Sequence, residues 1–291
     1  MIDSVSDTAR WVAVYRAMES ARPDALFRDP YAGRLAGERG VQMANLLDRG
    51  RRAAWAMIVR TFVLDQIILE GVRAGVDLVL NLAAGLDARA WRLDLPETLR
   101  WVDVDLPGIL DYKTDALRGE RTRCRYEAVR LDLRAREERQ RLFARLSAEA
   151  GRVLIVSEGL LVYLEPVEVA ALARDLHAPE NFHSWLFDLA SPHLLSFMKG
   201  SWGRTLRRGK ASFQFAPEEG TAFFAPFGWR EAQFRSQLEE AGKLHRTMRG
   251  MGLLKALLRL FGPGEIRRFA AFVLLERQIA QAGGACYPSP R

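Results

Sequence analysis

Residues 76–93 constrain the fold of this chain more than any other segment. They read Val-Asp-Leu-Val-Leu-Asn-Leu-Ala-Ala-Gly-Leu-Asp-Ala-Arg-Ala-Trp-Arg-Leu, and a second apolar run downstream ends in Asp103 and Asp105. A buried strand, a turn of small residues and an acid after the next strand are the parts with which an α/β sheet holds a nucleoside. The segment therefore predicts a mainly parallel α/β sheet with a nucleoside site at one edge.

The sequence of the turn also indicates which kind of nucleoside the site binds. It lacks the full G-x-G-x-x-G pattern, and no G-x-x-x-x-G-K-[ST] sequence occurs in the chain. Both patterns serve to bind phosphates. A nucleoside without phosphates fits better, and S-adenosylmethionine (SAM) is the best match.

Alternating apolar and amphipathic segments predict the rest of the sheet. Nearly continuous apolar runs are typical of strands that are buried on both faces. Helical patterns separate the runs, so five strand–helix steps predict a Rossmann-like doubly wound sheet. The predicted strands are residues 78–82, 99–104, 126–131, 153–156 and 185–189.

The two ends differ from this middle section, which spans residues 76–190. Residues 1–75 have helical periodicity and predict a helical cap. Residues 191–228 are rich in Gly, Pro and Phe and predict a lid insertion over the pocket. Residues 229–280 predict a helix near 229–241 and strands near 244–248 and 269–275, which would complete seven strands in a single domain.

Candidate site residues follow successive predicted strands. Asp103 and Asp105 lie two apart, so either can accept hydrogen bonds from ribose hydroxyls, while Asp105 can instead cap the helix that opens at Pro107. Asp132 follows the third strand, near the expected adenine. Glu158 follows the fourth strand, and Tyr163 lies one loop further.

Composition excludes several other classes of protein. The net charge is +7, but only five of the 43 basic residues are lysine, and the basic clusters lack interleaved aromatic residues, so we expect no nucleic-acid partner. No apolar run of about 18 residues predicts a membrane span. Two distant cysteines and the absence of a signal peptide predict a cytoplasmic protein without a metal site.

Taken together, the motifs resemble the leucine carboxyl methyltransferase-like family of class I SAM-dependent methyltransferases, particularly its bacterial branch. The resemblance covers residues 4–250. Its motifs are Ser6-Asp-Thr-Ala9, Phe27-Arg-Asp-Pro-Tyr31, Arg60-Thr61 with Asp65, residues 81–93, Val102-Asp-Val-Asp-Leu-Pro107 with Lys113, Asp132-Leu133 and Ser157-Glu-Gly-Leu-Leu-Val-Tyr163.

The resemblance implies a role for each matching residue. Arg60 would bind the methionine carboxylate of SAM, Asp105 the ribose, and Glu158 would lie near the amino group. The adenine would lie on Asp132 and Leu133, and the methionine side on Gly85 and the neighbouring Ala83. Arg28 and Tyr163 would face the methyl acceptor.

One position departs from the family pattern. Residues 82–85 read Leu-Ala-Ala-Gly, where the family has Leu-Gly-Ala-Gly. An alanine methyl at position 83 can crowd SAM or oppose a positive φ. We therefore expect weakened SAM affinity or a shifted turn.

The resemblance leaves the acceptor open. The first interpretation is O-methylation of a carboxylate on a small-molecule acceptor, with a phenol oxygen as the variant that would require a base such as His193 or Glu158. Methylation of a protein C-terminal carboxylate is the alternative. A SAM-binding protein that has lost catalysis and an NAD(P)-dependent oxidoreductase are further alternatives, and residues 251–261 could form a membrane-surface helix. The oligomeric state is not indicated.

Overall fold

The computed structural model describes residues 5–47, 53–208, 212–248, 250–253, 256 and 265–278. They form one seven-stranded sheet with the order β3-β2-β1-β4-β5-β7-β6. The strands are β1 Leu78–Leu82, β2 Arg100–Asp105, β3 Arg125–Arg130, β4 Val153–Ser157, β5 Phe182–Ala190, β6 Trp229–Ser236 and β7 Ala270–Arg277.

Helices precede the sheet and alternate with its strands. The first three belong to the N-terminal part, and the next four connect the strands. They are α1 Val5–Ser20, α2 Ala32–Leu47, α3 Ala54–Arg73, α4 Arg89–Arg92, α5 Pro107–Ala116, α6 Arg136–Glu149, α7 Pro166–His177, α8 Pro192–Arg208, α9 Gln237–Lys243 and α10 Glu265–Arg268. Short 3₁₀ helices are Leu161–Tyr163 and Gly220–Phe227.

Strands β1 to β5 run parallel, and β7 is antiparallel to both of its neighbours. Their carboxyl ends therefore meet at one edge. The switch in strand order beside β1, where connections leave in opposite directions, opens a crevice at that edge. The predicted doubly wound, seven-stranded sheet with helical additions is confirmed.

Two hydrophobic cores cover the faces of the sheet. Alternation along β1 sends Val79 into the core beneath α1 and α3, while Leu78, Leu80 and Leu82 enter the core beneath α6 and α7. All five residues of β1 are buried. Burial on both faces is the reason that their sequence shows no polar alternation.

The predictions for the C-terminal part were wrong in two places. Residues 229–236 form β6, not a helix, because the edge of β7 offers backbone groups that this segment pairs with, and tertiary pairing overrides weak local preference. Residues 244–248 form no strand. His245 has φ 52°, and Arg246 turns back to pair with Glu19 at 2.9 Å.

The segment predicted as a lid has two parts with different environments. Phe215, Phe223, Phe224 and Phe227 pack in or against the core beneath α6 and α7, together with Trp185 and Trp229. Phe213 packs elsewhere, against Tyr163, and Phe197 on α8 is exposed. A lid over the site therefore stays a prediction for α8 and the chain before Pro217.

Most of residues 251–261, considered above as a membrane-surface helix, lie outside the described part of the chain. Among the described residues, no helix is long and apolar enough to cross a bilayer. Met251 is buried against Leu238, which fits a core-facing position.

Candidate active site

The turn after β1 has an unusual backbone. Ala83 has φ 52° and Gly85 has φ 50°, both in the left-handed region. The turn is tied to the next strand, since the Ala84 N–H donates to the Val104 carbonyl at 3.2 Å. The positive φ considered at position 83 is thus present. A non-glycine residue there costs roughly 1–2 kcal/mol.

Replacing Ala83 with glycine should therefore stabilise the protein. We expect a gain of about 0.5–1 kcal/mol in the free energy of unfolding, because relief of the left-handed strain exceeds the added chain entropy of glycine. Denaturant titration measures it. Ala84→Gly is the matched control and should destabilise, since Ala84 is buried and lacks a positive φ. Equal effects of both changes would contradict the strain at position 83.

The two acids at the end of β2 have separate tasks. Asp103 is fully buried and accepts hydrogen bonds from Lys113 Nζ at 2.6 Å and Tyr126 Oη at 2.8 Å, so it serves the interior. Asp105 accepts from the backbone N–H groups of Gly85 and Leu106, each at 2.7 Å. One lone pair per carboxylate oxygen remains, which suits the two hydroxyls of a ribose.

Asp105 does not cap α5. The N-cap residue is Leu106, which has no capping side chain. Burial raises the pKa of Asp105, although the two backbone N–H groups act in the opposite direction. Of the interpretations left open by the sequence, the geometry favours a ligand-facing Asp105.

Arg60, on α3, lies between the ends of β4 and β5. Its Nε is 2.9 Å from Glu158 Oε1, and its Nη1 is 3.1 Å from Asp188 Oδ2. The Gly159 N–H holds the other Asp188 oxygen at 2.6 Å. Burial opposes the charge on Arg60, yet Glu158 and Asp188 together raise its pKa. No hydrogen bond from the described residues engages Nη2, which leaves donors for an added carboxylate.

Arg89 is the buried centre of the charged network. Only 2% of its side chain is exposed, and it contacts three carboxylates: Asp65 at 2.6 Å, Asp87 at 2.7 Å and Glu158 at 2.8 Å. Burial works against ionisation of Asp87 and Glu158, but Arg89 holds the pKa of both carboxyls below their usual range. Glu158 is thus fixed between two guanidinium groups.

No role was predicted for Arg89 or Asp188 from the sequence. Arg89 lies within the family motif at residues 81–93, and its partners Asp65 and Asp87 also belong to family motifs. The occurrence of an arginine and acids in these motifs was the available signal. Asp188 lies two residues before the end of β5, and Glu158 directly follows β4, so both acids lie near the carboxyl ends of strands.

Ionisation of Asp87 and Glu158 should make the free energy of unfolding depend on pH in the acidic range. A carboxyl whose folded pKa is lowered adds stability above its unfolded pKa, near ~4. That contribution disappears as the pH falls through the folded value. The destabilisation by Asp87→Asn should therefore shrink below about pH 4. Urea titrations from pH 7 to 3 test this, with the exposed Asp94→Asn as the control; a difference that does not change with pH would contradict it.

The N-terminal cap is joined to this network. Arg92 Nη2 contacts Asp65 at 2.7 Å. Arg16 on α1 pairs with Asp29 at 2.9 Å and donates to the Leu86 carbonyl at 2.6 Å, within the turn after β1. The motif at residues 27–31 thus positions the cap through buried Asp29.

Helix α1 also covers the site directly. A side chain added at Gly85 would meet the Ala9 methyl at 3.3 Å. Thr8 hydrogen-bonds Tyr163, whose ring stacks on Phe213 with centroids 5.3 Å apart. Burial raises the pKa of Tyr163, so its phenol is neutral near pH 7.

Three other residues predicted for the site lie away from the charged network around Arg89. Asp132 is 39% exposed and pairs with Arg134 at 2.7 Å, and Leu133 packs partly buried beside the core under α6. Arg28 is exposed and donates to the Ser20 carbonyl, and the described contacts do not join it to Arg60 or Tyr163. The roles of these three stay predictions.

Comparison with known proteins agrees with this geometry. A family model described as leucine carboxyl methyltransferase matches residues 9–177. A relative from Streptomyces avermitilis, provisionally named a SAM-dependent methyltransferase, is 31% identical over 254 residues, which cover 83% of this chain and 88% of the relative. A similarly named protein from Streptomyces coelicolor is 38% identical over 166 residues, covering 54% and 59%.

Solved structures share the fold. A DUF574 family protein from Streptomyces avermitilis superposes with a TM-score of 0.60 at 12% identity, covering 93% of this chain and 97% of that one. A provisionally named methyltransferase from Thermobifida fusca gives 0.58 at 15% identity, covering 86% and 93%.

The sheet order and the reversed β7 are the fold shared with these structures, and the family model with the Streptomyces avermitilis relative makes the chain a SAM-dependent methyltransferase of class I fold. More specifically, the chain belongs to the leucine carboxyl methyltransferase family. The predicted enzyme class and methyl donor are confirmed at the level of this family, and the oxidoreductase alternative loses its support.

Proposed function

We propose that this enzyme methylates a carboxylate oxygen of a small-molecule acceptor, with SAM held at the carboxyl edge of β1, β2, β4 and β5. The observation that carries this proposal is the neutral phenol of Tyr163 beside a charged edge in which Arg60 and Arg89 hold the pKa of Glu158 low. The following points support it.

The residues present fit SAM. Arg60, Arg89 and Arg92 face Asp65, Asp87, Glu158 and Asp188, so the network carries one net negative charge. SAM has one net positive charge near neutral pH, since its sulfonium and ammonium outnumber its carboxylate.

Each end of SAM would have its own partners. The free Nη2 of Arg60 would bind the methionine carboxylate, and Glu158 and Asp188 would attract the ammonium. Asp105 would accept from the ribose hydroxyls. The backbone at Ala83 and Gly85 would line the methionine side, and Asp132 with Leu133 would lie beside the adenine.

When bound, SAM supplies an electrophilic methyl group on its sulfonium. The protein's own task is to bring an acceptor oxygen into line and exclude water, which can contribute roughly 7–11 kcal/mol in well-aligned cases. A carboxylate acceptor is already ionised near pH 7 and requires no general base.

Glu158 and Tyr163 favour a carboxylate over a phenol acceptor. Glu158 is a weak base, because Arg89 and Arg60 hold its pKa low against the effect of burial. Tyr163 keeps its proton and can donate a hydrogen bond to the acceptor carboxylate. His177 packs against Trp229, and His183 lies at the start of β5, so both are away from this edge.

Mass spectrometry of candidate acids incubated with enzyme and SAM tests the proposal. We expect a gain of one CH₂ in mass on an acid and methanol release under mild base, which cleaves a methyl ester but not a phenol ether. A product that is stable to base would contradict carboxylate methylation. Peptides with free C-termini in the same panel test the protein-methylating alternative, and SAM binding without any product would favour lost catalysis.

A further inference from the structure

A buried ion pair joins α6 and α7 to the loop that follows β3. Arg139 lies on α6 and Asp175 on α7, and only 7% and 4% of their side chains are exposed. Arg139 Nη2 donates to Asp175, and Arg139 Nη1 donates to the Leu133 carbonyl. Gln140 Nε2 donates to the second oxygen of Asp175 at 2.8 Å. Arg139 therefore connects the loop to two helices at once.

This loop, residues 131–135, leaves the sheet beside the proposed ribose site. The Leu131 N–H donates to the Asp105 carbonyl at 2.9 Å. Strand β2 lies between β3 and β1, whereas Glu158 and Asp188, proposed for the methionine end, follow or end strands on the other side of β1. A nucleoside with its ribose at β2 and its methionine toward β4 therefore extends its base toward β3 and the loop.

The loop presents polar groups that match one edge of adenine. The Asp132 carbonyl accepts from the Ala135 N–H at 2.8 Å, and Asp132 Oδ1 accepts from the Arg134 N–H at 3.0 Å. No described residue accepts a hydrogen bond from the Leu133 N–H. A backbone donor beside a carboxylate acceptor suits the ring nitrogen and the amino group of adenine, provided that both are held in place together.

Packing alone does not explain an arginine at position 139. Its Nε is buried without a hydrogen-bond partner among the described residues, and a buried ion pair often stabilises a protein no more than apolar residues of similar volume. Burial opposes ionisation of Asp175, but hydrogen bonds from Arg139 and Gln140 hold its pKa below the usual range. The contact that an apolar side chain could not replace is the hydrogen bond to the Leu133 carbonyl.

We propose that Arg139, oriented by Asp175, is a positioning residue that fixes the loop at residues 131–135 and thereby sets the selectivity of the enzyme for adenine. This inference rests on the SAM site proposed above, in which Asp132 and Leu133 lie beside the adenine. Without the guanidinium, the Leu133 carbonyl would lose its buried donor and turn toward water. The Asp132 carboxylate and the Leu133 N–H would then no longer match the base together.

The experiment compares two ligands that differ only in the base. S-Inosylhomocysteine carries a carbonyl oxygen where S-adenosylhomocysteine carries the amino group. Calorimetry with the full-length protein gives the ratio of their dissociation constants, which we expect to favour adenosine by about tenfold or more, as for one hydrogen bond to a charged group. General damage to the fold lowers the affinity for both ligands by the same factor, so the ratio reports base recognition. Asp132→Ala should bring it close to one.

Variants of the ion pair then test the positioning role. Arg139→Met should reduce the ratio to about threefold or less. The double variant Arg139→Met/Asp175→Leu should do the same and serves if the single variant does not fold, because it leaves no buried charge unpaired. Arg246→Met is the matched control. It breaks a similarly buried pair with Glu19, 2.9 Å apart, that joins α1 to the segment after α9, and it should leave the ratio unchanged.

The outcomes separate this inference from the proposed function. If the wild-type protein discriminates and both Arg139 variants keep the full ratio, the positioning role is overturned while the adenine assignment stands. A loss of the ratio in Arg246→Met equal to that in Arg139→Met would also overturn it. A wild-type ratio near one, or one unchanged by Asp132→Ala, would contradict the adenine assignment and this inference with it. Carboxylate methylation is measured separately, by the ester product, and none of these results contradicts it.

Discussion

Replacing Arg89 with methionine should destabilise this protein more than any other single change at the site, by ~3–5 kcal/mol. The reason is that Arg89 is almost fully buried and contacts Asp65, Asp87 and Glu158 within 2.8 Å. Removing the guanidinium leaves those carboxylates in a poorly solvated environment without their common counterion. Denaturant unfolding measures the change.

Two comparisons make this expectation specific. Arg134→Met breaks the exposed pair with Asp132 and should cost no more than ~1 kcal/mol. The double variant Asp87→Asn/Arg89→Met should recover part of the loss, since it removes one of the charges left unpaired. A loss no larger than that of Arg134→Met would show that water reaches the network freely, and would contradict the buried-centre description.

Replacing Arg60 with alanine should weaken SAM binding by about 100-fold or more, because truncating one partner of a buried charge pair costs ~2–5 kcal/mol. The proposed contact is between its free Nη2 group and the methionine carboxylate. Calorimetry gives the dissociation constant. Arg60→Lys should recover only part of the affinity, since lysine cannot reproduce the guanidinium fork.

A ligand without the amino acid portion separates this role from general damage to the fold. 5′-Methylthioadenosine keeps the ribose and adenine but lacks the carboxylate and ammonium groups. Its binding should be nearly unaffected by Arg60→Ala and strongly weakened by Asp105→Ala, whereas SAM binding should be weakened by both. If Arg60→Ala weakens both ligands equally, the assignment of Arg60 to the carboxylate is wrong.

Burial and the number of charged partners determine whether replacing a site residue affects mainly stability or mainly SAM binding. Arg89 makes three close charged contacts and touches no expected ligand, so its effect falls mainly on stability. Arg60 makes two, and no described residue accepts a hydrogen bond from its Nη2, so its effect falls mainly on binding. Asp105 is held by two backbone N–H groups, which pre-orients its carboxylate at little cost in entropy.

Much of the fold could be predicted because the strands of this sheet are buried on both faces. Such strands have continuous apolar sequences, and β1 to β5 lie within a few residues of their predicted positions. The segment 229–236 could not be predicted in the same way. It is an edge strand with few apolar residues, and only the backbone groups offered by β7 make it extended.

The candidate site, like the fold, could be predicted from the sequence only in part. The position of residues 83–85, Asp105 and Glu158 at this edge could be predicted, because each ends or directly follows a strand whose carboxyl end lies there. The choice between Asp103 and Asp105 could not be predicted, since both share one side of β2. Only the positions of Lys113 and Tyr126, which occupy Asp103, decide it.

The sequence by itself determined strands β1 to β5 and indicated the family, because hydrophobic periodicity and small-residue turns are local properties of the chain. Only the tertiary structure decided the charged network around Arg89 and the contact of Asp188 with Arg60. Ion pairs and side-chain packing depend on distances between residues far apart in sequence, such as Arg89 and Glu158. The left-handed φ at Ala83 depends on both. The sequence places an alanine at this position, and the fold of the turn imposes the strained conformation on it.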